Sequence, residues 1–243
     1  MGSEIIIKLL GIGSISLQIN GITYFIDSFN DFTEPPDLEA NDVVLFTHDD
    51  RDHYYAEALL SKINDSNLII GPPTIALPLQ KEKCINEDQL KISYPIEDTP
   101  VIIEKGLTRI FVYRTDHFLD WHAIHVSYLI ESENRRIYIA GDSFLSDNHM
   151  DFNKEADCFI LNLLKKEIVK NQMPREHGLF FHIADLLQIQ YDYKPKLIIG
   201  NHLIGCNWAV DPKALQQMIS ANGIKNIRIP VDKDEEINMN EYV

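Results

Sequence analysis

Cysteine is scarce: the chain has Cys84, Cys158 and Cys206, widely separated and odd in number. Without a Cys-x-x-Cys pair, neither a disulfide framework nor a structural zinc ribbon is supported, and a reducing cytoplasm is the expected compartment. Positive charge is also short, with 22 Lys and Arg against 37 Asp and Glu and a formal net charge of −15. Long-range repulsion then opposes a broad nucleic-acid or anionic-membrane surface, while leaving room for a small molecule in a local pocket. No apolar stretch approaches membrane-spanning length, and the opening Met-Gly-Ser-Glu-Ile-Ile-Ile-Lys lacks both the basic leader and the long apolar run of an export signal. There is no internal repeat, no low-complexity segment, and no Gly-x-Ser-x-Gly elbow to supply a serine nucleophile.

What is present is a chain of 243 residues, 45% hydrophobic, able to bury a large core as one domain or two intimately packed halves. Strand-like runs at 4–10, 14–19 and 22–27 open it, the last two joined by Asn20-Gly21, the strongest short hairpin signal. Residues 43–47 form a continuous apolar run suited to a strand covered on both faces. A helix is expected over 54–63 with Asp52 accepting its first backbone N–H groups, then a strand at 68–70 and a helix opened by Gly71-Pro72-Pro73. The polar segment 81–100 has no clear assignment. Strands are expected again at 107–114, 126–131, 135–140, 157–163 and 196–200, and helices at 183–191 and 212–221, the last between Asp211 and Gly223. Strands in hairpins that give way to strands alternating with helices, in two comparable halves, fit two central sheets with helices outside.

The chemistry concentrates at 47–54, Thr-His-Asp-Asp-Arg-Asp-His-Tyr, which places His48, Asp50, Asp52 and His53 directly after an apolar strand. Several imidazoles and carboxylates side by side in a partly buried pocket are costly unless a cation compensates them. Other candidates follow strand ends: His117 after Tyr113-Arg114, Asp142 in Gly-Asp-Ser, and His202 in Gly-Asn-His. A strand end combines rigidity with access. Asp49 competes with Asp50 as a merely solvated acid, and Gly-Asp-Ser is also a common turn composition. Three histidines compete for the loop position: His117 has the best relation to the preceding strand end, His122 follows Trp121, and His125 lies nearly inside a strand and reads as structural.

In this order the chain resembles the metallo-β-lactamase superfamily: an N-terminal hairpin ending in Asp27, then Thr-His-x-Asp-x-Asp-His, a loop His, Gly-Asp-Ser and a final Asn-His. The resemblance covers nearly the whole chain. In layout it is most similar to the stand-alone metal-dependent hydrolases, among them the ascorbate-6-phosphate lactonases. It implies an α/β fold, a four-layered αββα sandwich in one domain over 1–243. It also implies two divalent metal ions (Zn, Mn or Fe), one on His48, Asp50 and His117, the other on Asp52, His53 and His202, with Asp142 bridging. Two cations roughly 3.5–4 Å apart can share a hydroxide whose pKa falls toward ~7 and which attacks an ester, lactone or phosphoester of a small anionic substrate. By the same resemblance Asp52 or Asp142 steers the water, His182, which reads equally well as an ordinary residue opening a helix, protonates the leaving group, and Asp27 orients a ligand through a hydrogen bond.

Two departures stand out. The family usually has His where this chain has Asp50, which favours a harder cation in the first pocket. Gly11-Ile12-Gly13 also lacks a His that relatives often carry after the first Gly. Cys206, four residues past His202, reads as a small buried hydrophobe, His149 and His177 as surface residues, and Tyr54 and Tyr55 as one pocket wall and one core residue. The competing readings are a nucleic-acid phosphodiesterase of the tRNA 3′-processing kind, disfavoured by the acidic balance, and a non-catalytic metal-binding or sensing module with a decayed first site. A redox di-iron role is a third, unaccompanied by any flavin-binding segment. Substrate specificity is assigned to the loops 30–40, 81–100 and 118–125; oligomeric state is left open.

Overall fold

In the computed structural model, residues 4–82, 84–96, 99–117, 124–143, 156–163, 183–202 and 212–242 are described. The chain opens with β1 (Ile5–Leu9), β2 (Ile15–Ile19) and β3 (Ile22–Ile26), all antiparallel neighbours. Asn20 and Gly21 both take positive φ (53° and 76°), as a tight hairpin turn matched to strand twist requires. Strands β4 (Val43–Leu45), β5 (Leu68–Gly71) and β6 (Leu90–Ile92) then add in parallel. Helices α1 (Ala56–Leu60) and α2 (Pro73–Leu79) make the crossovers.

The second sheet repeats this programme. Strands β7 (Val101–Lys105), β8 (Thr108–Thr115), β9 (His125–Ser132) and β10 (Arg135–Ile139) pair antiparallel. Then β11 (Cys158–Asn162), β12 (Leu197–Asn201) and β13 (Ile227–Arg228) continue in parallel. Helices α3 (Ile183–Asp192) and α4 (Pro212–Ala221) belong to this half, and β14 (Glu236–Asn238) returns to pair with β1. Each sheet thus has seven strands.

The layers follow from strand periodicity. Ile7, Leu17, Val43 and Leu45 of the first sheet share one core with Val112, Tyr128, Ile160 and Ile199 of the second. Alternate residues face outward: Val44 and Phe46 pack under Leu59 of α1 and Ile75 and Leu79 of α2, while Phe159 and Leu161 pack under Leu186 and Ile189 of α3 and Ile219 of α4. The uninterrupted apolar runs of β4 and β11 are the mark of strands covered on both faces. Each fully buried aliphatic of this kind contributes roughly 1.5–3 kcal/mol. The result is the four-layered αββα sandwich. No described helix is long and apolar enough to cross a membrane.

The structure corrects the local reading in three places. Helix α1 begins at Ala56 behind Tyr55, so Asp52 is not its cap; residues 51–53 form a turn in which the N–H groups of His53 and Tyr54 both reach the Asp50 carbonyl. That releases the Asp52 carboxylate for other contacts. The unassigned segment 81–100 contains β6, and Val101–Lys105 is a strand outside those expected. The short end strands β13 and β14 were likewise not anticipated. Asp211 lies outside the described residues.

Candidate metal centre

Four strands deliver their carboxyl ends to one place. Thr47 and the turn after it extend from β4, His117 follows β8, Asp142 follows β10, and His202 follows β12. The two sheets meet directly here, for the Val126 N–H of β9 donates to the Thr47 carbonyl at 2.9 Å.

The side chains fall into three overlapping groups in which potential ligand atoms lie within 4.8 Å of one another: His48, Asp50 and His117; His48, His53 and Asp142; Asp52, His53 and His202. Asp50 Oδ2 stands 3.6 Å from His48 Nε2 and 3.4 Å from His117 Nε2. Asp52 Oδ2 stands 3.4 Å from His202 Nε2 and 3.9 Å from His53 Nε2. Asp142 lies between these sets. Its Oδ1 is 3.3 Å from His53 Nε2 and 3.9 Å from His202 Nε2, while its Oδ2 is 4.0 Å from His117 Nε2.

Hydrogen bonds behind the cluster set the histidine tautomers. The Thr47 hydroxyl lies 2.6 Å from Asp27 Oδ2, a carboxylate that can only accept, so the single Thr47 hydroxyl proton goes there. Thr47 Oγ1 must then accept from His48 Nδ1–H at 2.9 Å, which leaves a lone pair on His48 Nε2. Asp27 Oδ2 also accepts from His53 Nδ1–H at 2.8 Å, and Oδ1 accepts the Thr47 N–H at 2.8 Å. Both Nε2 atoms face the cluster, are buried, and make no hydrogen bond among the described residues. Buried nitrogens left this way, beside three carboxylates, suit cations rather than a self-satisfied polar core.

The charges are mutually supported. Burial alone would lower the His53 pKa, but Asp142 and Asp27 outweigh it and raise it well above the ordinary value. Burial pushes the Asp142 carboxyl up, yet His53 and His202 hold it well below the usual range. Asp52, also pushed up by burial, is brought down to about 2 by the neighbouring His202 and His53 imidazoles. Asp50 goes the other way, raised by burial. Burial, reinforced by neighbouring imidazoles, drives His48 and His125 down.

Backbone conformation is committed to the same end. His202 and Asp27 adopt left-handed φ (65° and 51°), a costly state for residues with a Cβ that recurs at functional sites. At Gly13 a Cβ would meet the His53 ring at 2.8 Å, and at Gly141 one would meet His125 Nε2 at 2.8 Å, so both backbones approach the cluster as only glycine permits. The Asn201 amide donates to the Gly13 carbonyl at 3.2 Å, tying β12 to the β1–β2 loop.

Every expected ligand is therefore in one cluster. Of the competing loop histidines, His117 joins it, whereas His125 sits behind it: its Nε2 accepts the Asp142 N–H at 3.0 Å and its Nδ1 reaches Thr115 Oγ1 at 2.7 Å. His122, His149, His177, His182 and Cys206 lie outside the described residues. Tyr54 packs edge-on against Phe46, at 5.0 Å between ring centroids, and Tyr55 lies under the Arg51 guanidinium. Neither ring contacts the cluster in these pairings. Sequence reasoning missed Thr47 and Asn162, whose amide donates to Asp142 Oδ1. The available signal for Asn162 was a polar residue ending an apolar strand, as at Asp142 and His202.

No family model matches the chain. It is 23% identical over 145 residues to a UPF0173 protein of Pyrococcus abyssi, an alignment covering 60% of this chain and 63% of that one, so less than two thirds of the relative's length is spanned. A possible metal-dependent hydrolase of Veillonella parvula superposes with a TM-score of 0.71 at 15% identity over 98% of this chain and 99% of that one. The metallo-β-lactamase fold protein YhfI of Bacillus subtilis superposes with a TM-score of 0.68 at 13% identity over 97% and 99%. Agreement of shape over nearly the full length of both solved structures, with a His and Asp cluster at the strand ends, gives this chain the metallo-β-lactamase fold.

Proposed function

We propose that His48, Asp50 and His117 hold one divalent cation, that Asp52, His53 and His202 hold a second, and that Asp142 spans both. On this reading the protein is a hydrolase of an ester, lactone or phosphoester bond in a small anionic molecule. The observation that carries the proposal is the division of Asp142, whose two oxygens face different histidine sets. The donor set of four imidazoles and three carboxylates suits Zn, Mn or Fe. When bound, such cations lower the pKa of water toward ~7 and polarise the oxygen under attack.

The protein's own groups supply placement. Asp27 and Thr47 keep the His53 and His48 Nε2 atoms aimed inward, and His125 holds the Asp142 backbone by accepting its N–H. Asp52, whose side chain is 30% exposed at the cluster, can accept a hydrogen bond from a water and orient it toward a substrate. By the resemblance of its sequence position, His182 donates the proton to the leaving group. Elemental analysis of protein expressed in metal-supplemented medium, paired with hydrolysis of chromogenic esters, lactones and phosphodiesters, tests the proposal. About two metal equivalents per chain and turnover of one class are expected. Metal-replete protein inert toward all three classes would overturn the hydrolase reading.

A further inference from the structure

We infer that Asn162 is a positioning residue that divides the Asp142 carboxylate between the two pockets. The inference rests on the proposal that the cluster binds cations, and concerns how they share one acid.

Asn162 ends β11, directly beside Asn201 in the parallel register with β12. Cys158 and Ile160 of β11 face the core between the sheets, and strand alternation puts Asn162 on that same face, where the core gives way to the His and Asp cluster. The residue is buried, 3% exposed, and its Nδ2 donates to Asp142 Oδ1. The direction of the amide is dictated by its partner, because an ionised carboxylate has no proton to give and only the Asn162 nitrogen can donate. An apolar residue would be the ordinary choice at the end of so apolar a strand; a buried amide at this point is retained for the bond it makes.

That bond has a consequence for the pockets. Oδ1 is the oxygen facing His53 and His202, and a carboxylate oxygen has two acceptor sites. Asn162 takes one of them and leaves one for the second pocket. The carboxylate is then pinned against rotation, and Oδ2 remains turned toward His117 and the first pocket. Without the amide, Asp142 is free to turn both oxygens to the second pocket. The first pocket would then keep only His48, His117 and the half-exposed Asp50.

The test is a stepwise cobalt(II) titration of the full chain, followed by visible absorption and checked by metal counting, on the wild type, Asn162→Leu and Asn162→Ala. Circular dichroism selects variants that fold, and either one suffices. Wild type should take up two cobalt ions. The variant should keep the tighter site and weaken the other by about tenfold or more, the range seen when groups supporting metal ligands are lost. Two unchanged sites, or an equal loss at both as from a general structural defect, would overturn the role given to Asn162. A wild type that binds no cobalt would instead overturn the cation reading itself, and this inference with it.

Discussion

The two pockets share Asp142 but differ in how firmly their own residues are held. In the second, His53 is fully buried, fixed by Asp27, and flanked by Gly13, where there is no room for a Cβ, and Asp52 is 30% exposed with its pKa drawn down by His202 and His53 against the pull of burial. In the first, His48 is oriented only through a hydroxyl, and Asp50 has a side chain 52% exposed and a pKa raised by burial. One pocket is preorganised by charge and packing; the other is open on one side and finished by a half-exposed aspartate.

Asp142→Ala removes what the pockets share, and the comparison predicts collapse of both. Metal content should fall to near zero and hydrolysis by more than about 100-fold, read by elemental analysis and initial rates. Next in size is Asp27→Asn, which takes the charge from behind His53 directly and from His48 only through Thr47. Affinity should drop about 10–100-fold in the second pocket and less in the first, resolved by a two-site binding isotherm. Thr47→Val reverses that pattern: Asp27 keeps the residue 47 N–H and His53, so only the first pocket should weaken. Equal losses at both pockets would break the distinction. Asp50→His replaces a hard carboxylate with an imidazole and should raise zinc occupancy of the first pocket relative to manganese.

The smallest expected effect lies far from the centre, where Arg228 Nε donates to Glu235 Oε1 at 2.9 Å. Burial pushes Glu235 up, but the Arg228 contact prevails and holds its pKa below the usual 4.5. A lowered folded pKa means that the stabilisation is complete above 4.5 and is lost as pH falls through the folded value. Arg228→Ala should therefore cost no more than about 1 kcal/mol near pH 7, with the difference vanishing near pH 2, measured by urea denaturation.

What the sequence disclosed tracks where the information is local. The run Thr47 to His53 carries four of the clustered side chains close together in sequence, and strand ends flagged His117, Asp142 and His202. Asp52 was misread as a cap because an acid before an apolar run has the same signature whether it bonds a helix or faces a pocket. The choice between His117 and His125 needed the β8–β9 pairing, which sets Thr115 opposite His125 and carries that ring behind Asp142. Asn162 acquires meaning only when β11 lies beside β10, a contact invisible in a linear reading. Strands β13 and β14 span two and three residues, too few for alternation to register.

The bond from Val126 N–H to the Thr47 carbonyl welds one sheet to the other at the very residue that sets the His48 tautomer. Prying the halves apart, even slightly, would disarm the pocket before the hydrophobic interior is wetted. Exchange of the Val126 amide with deuterium should thus serve as a single-proton gauge of whether the centre is assembled.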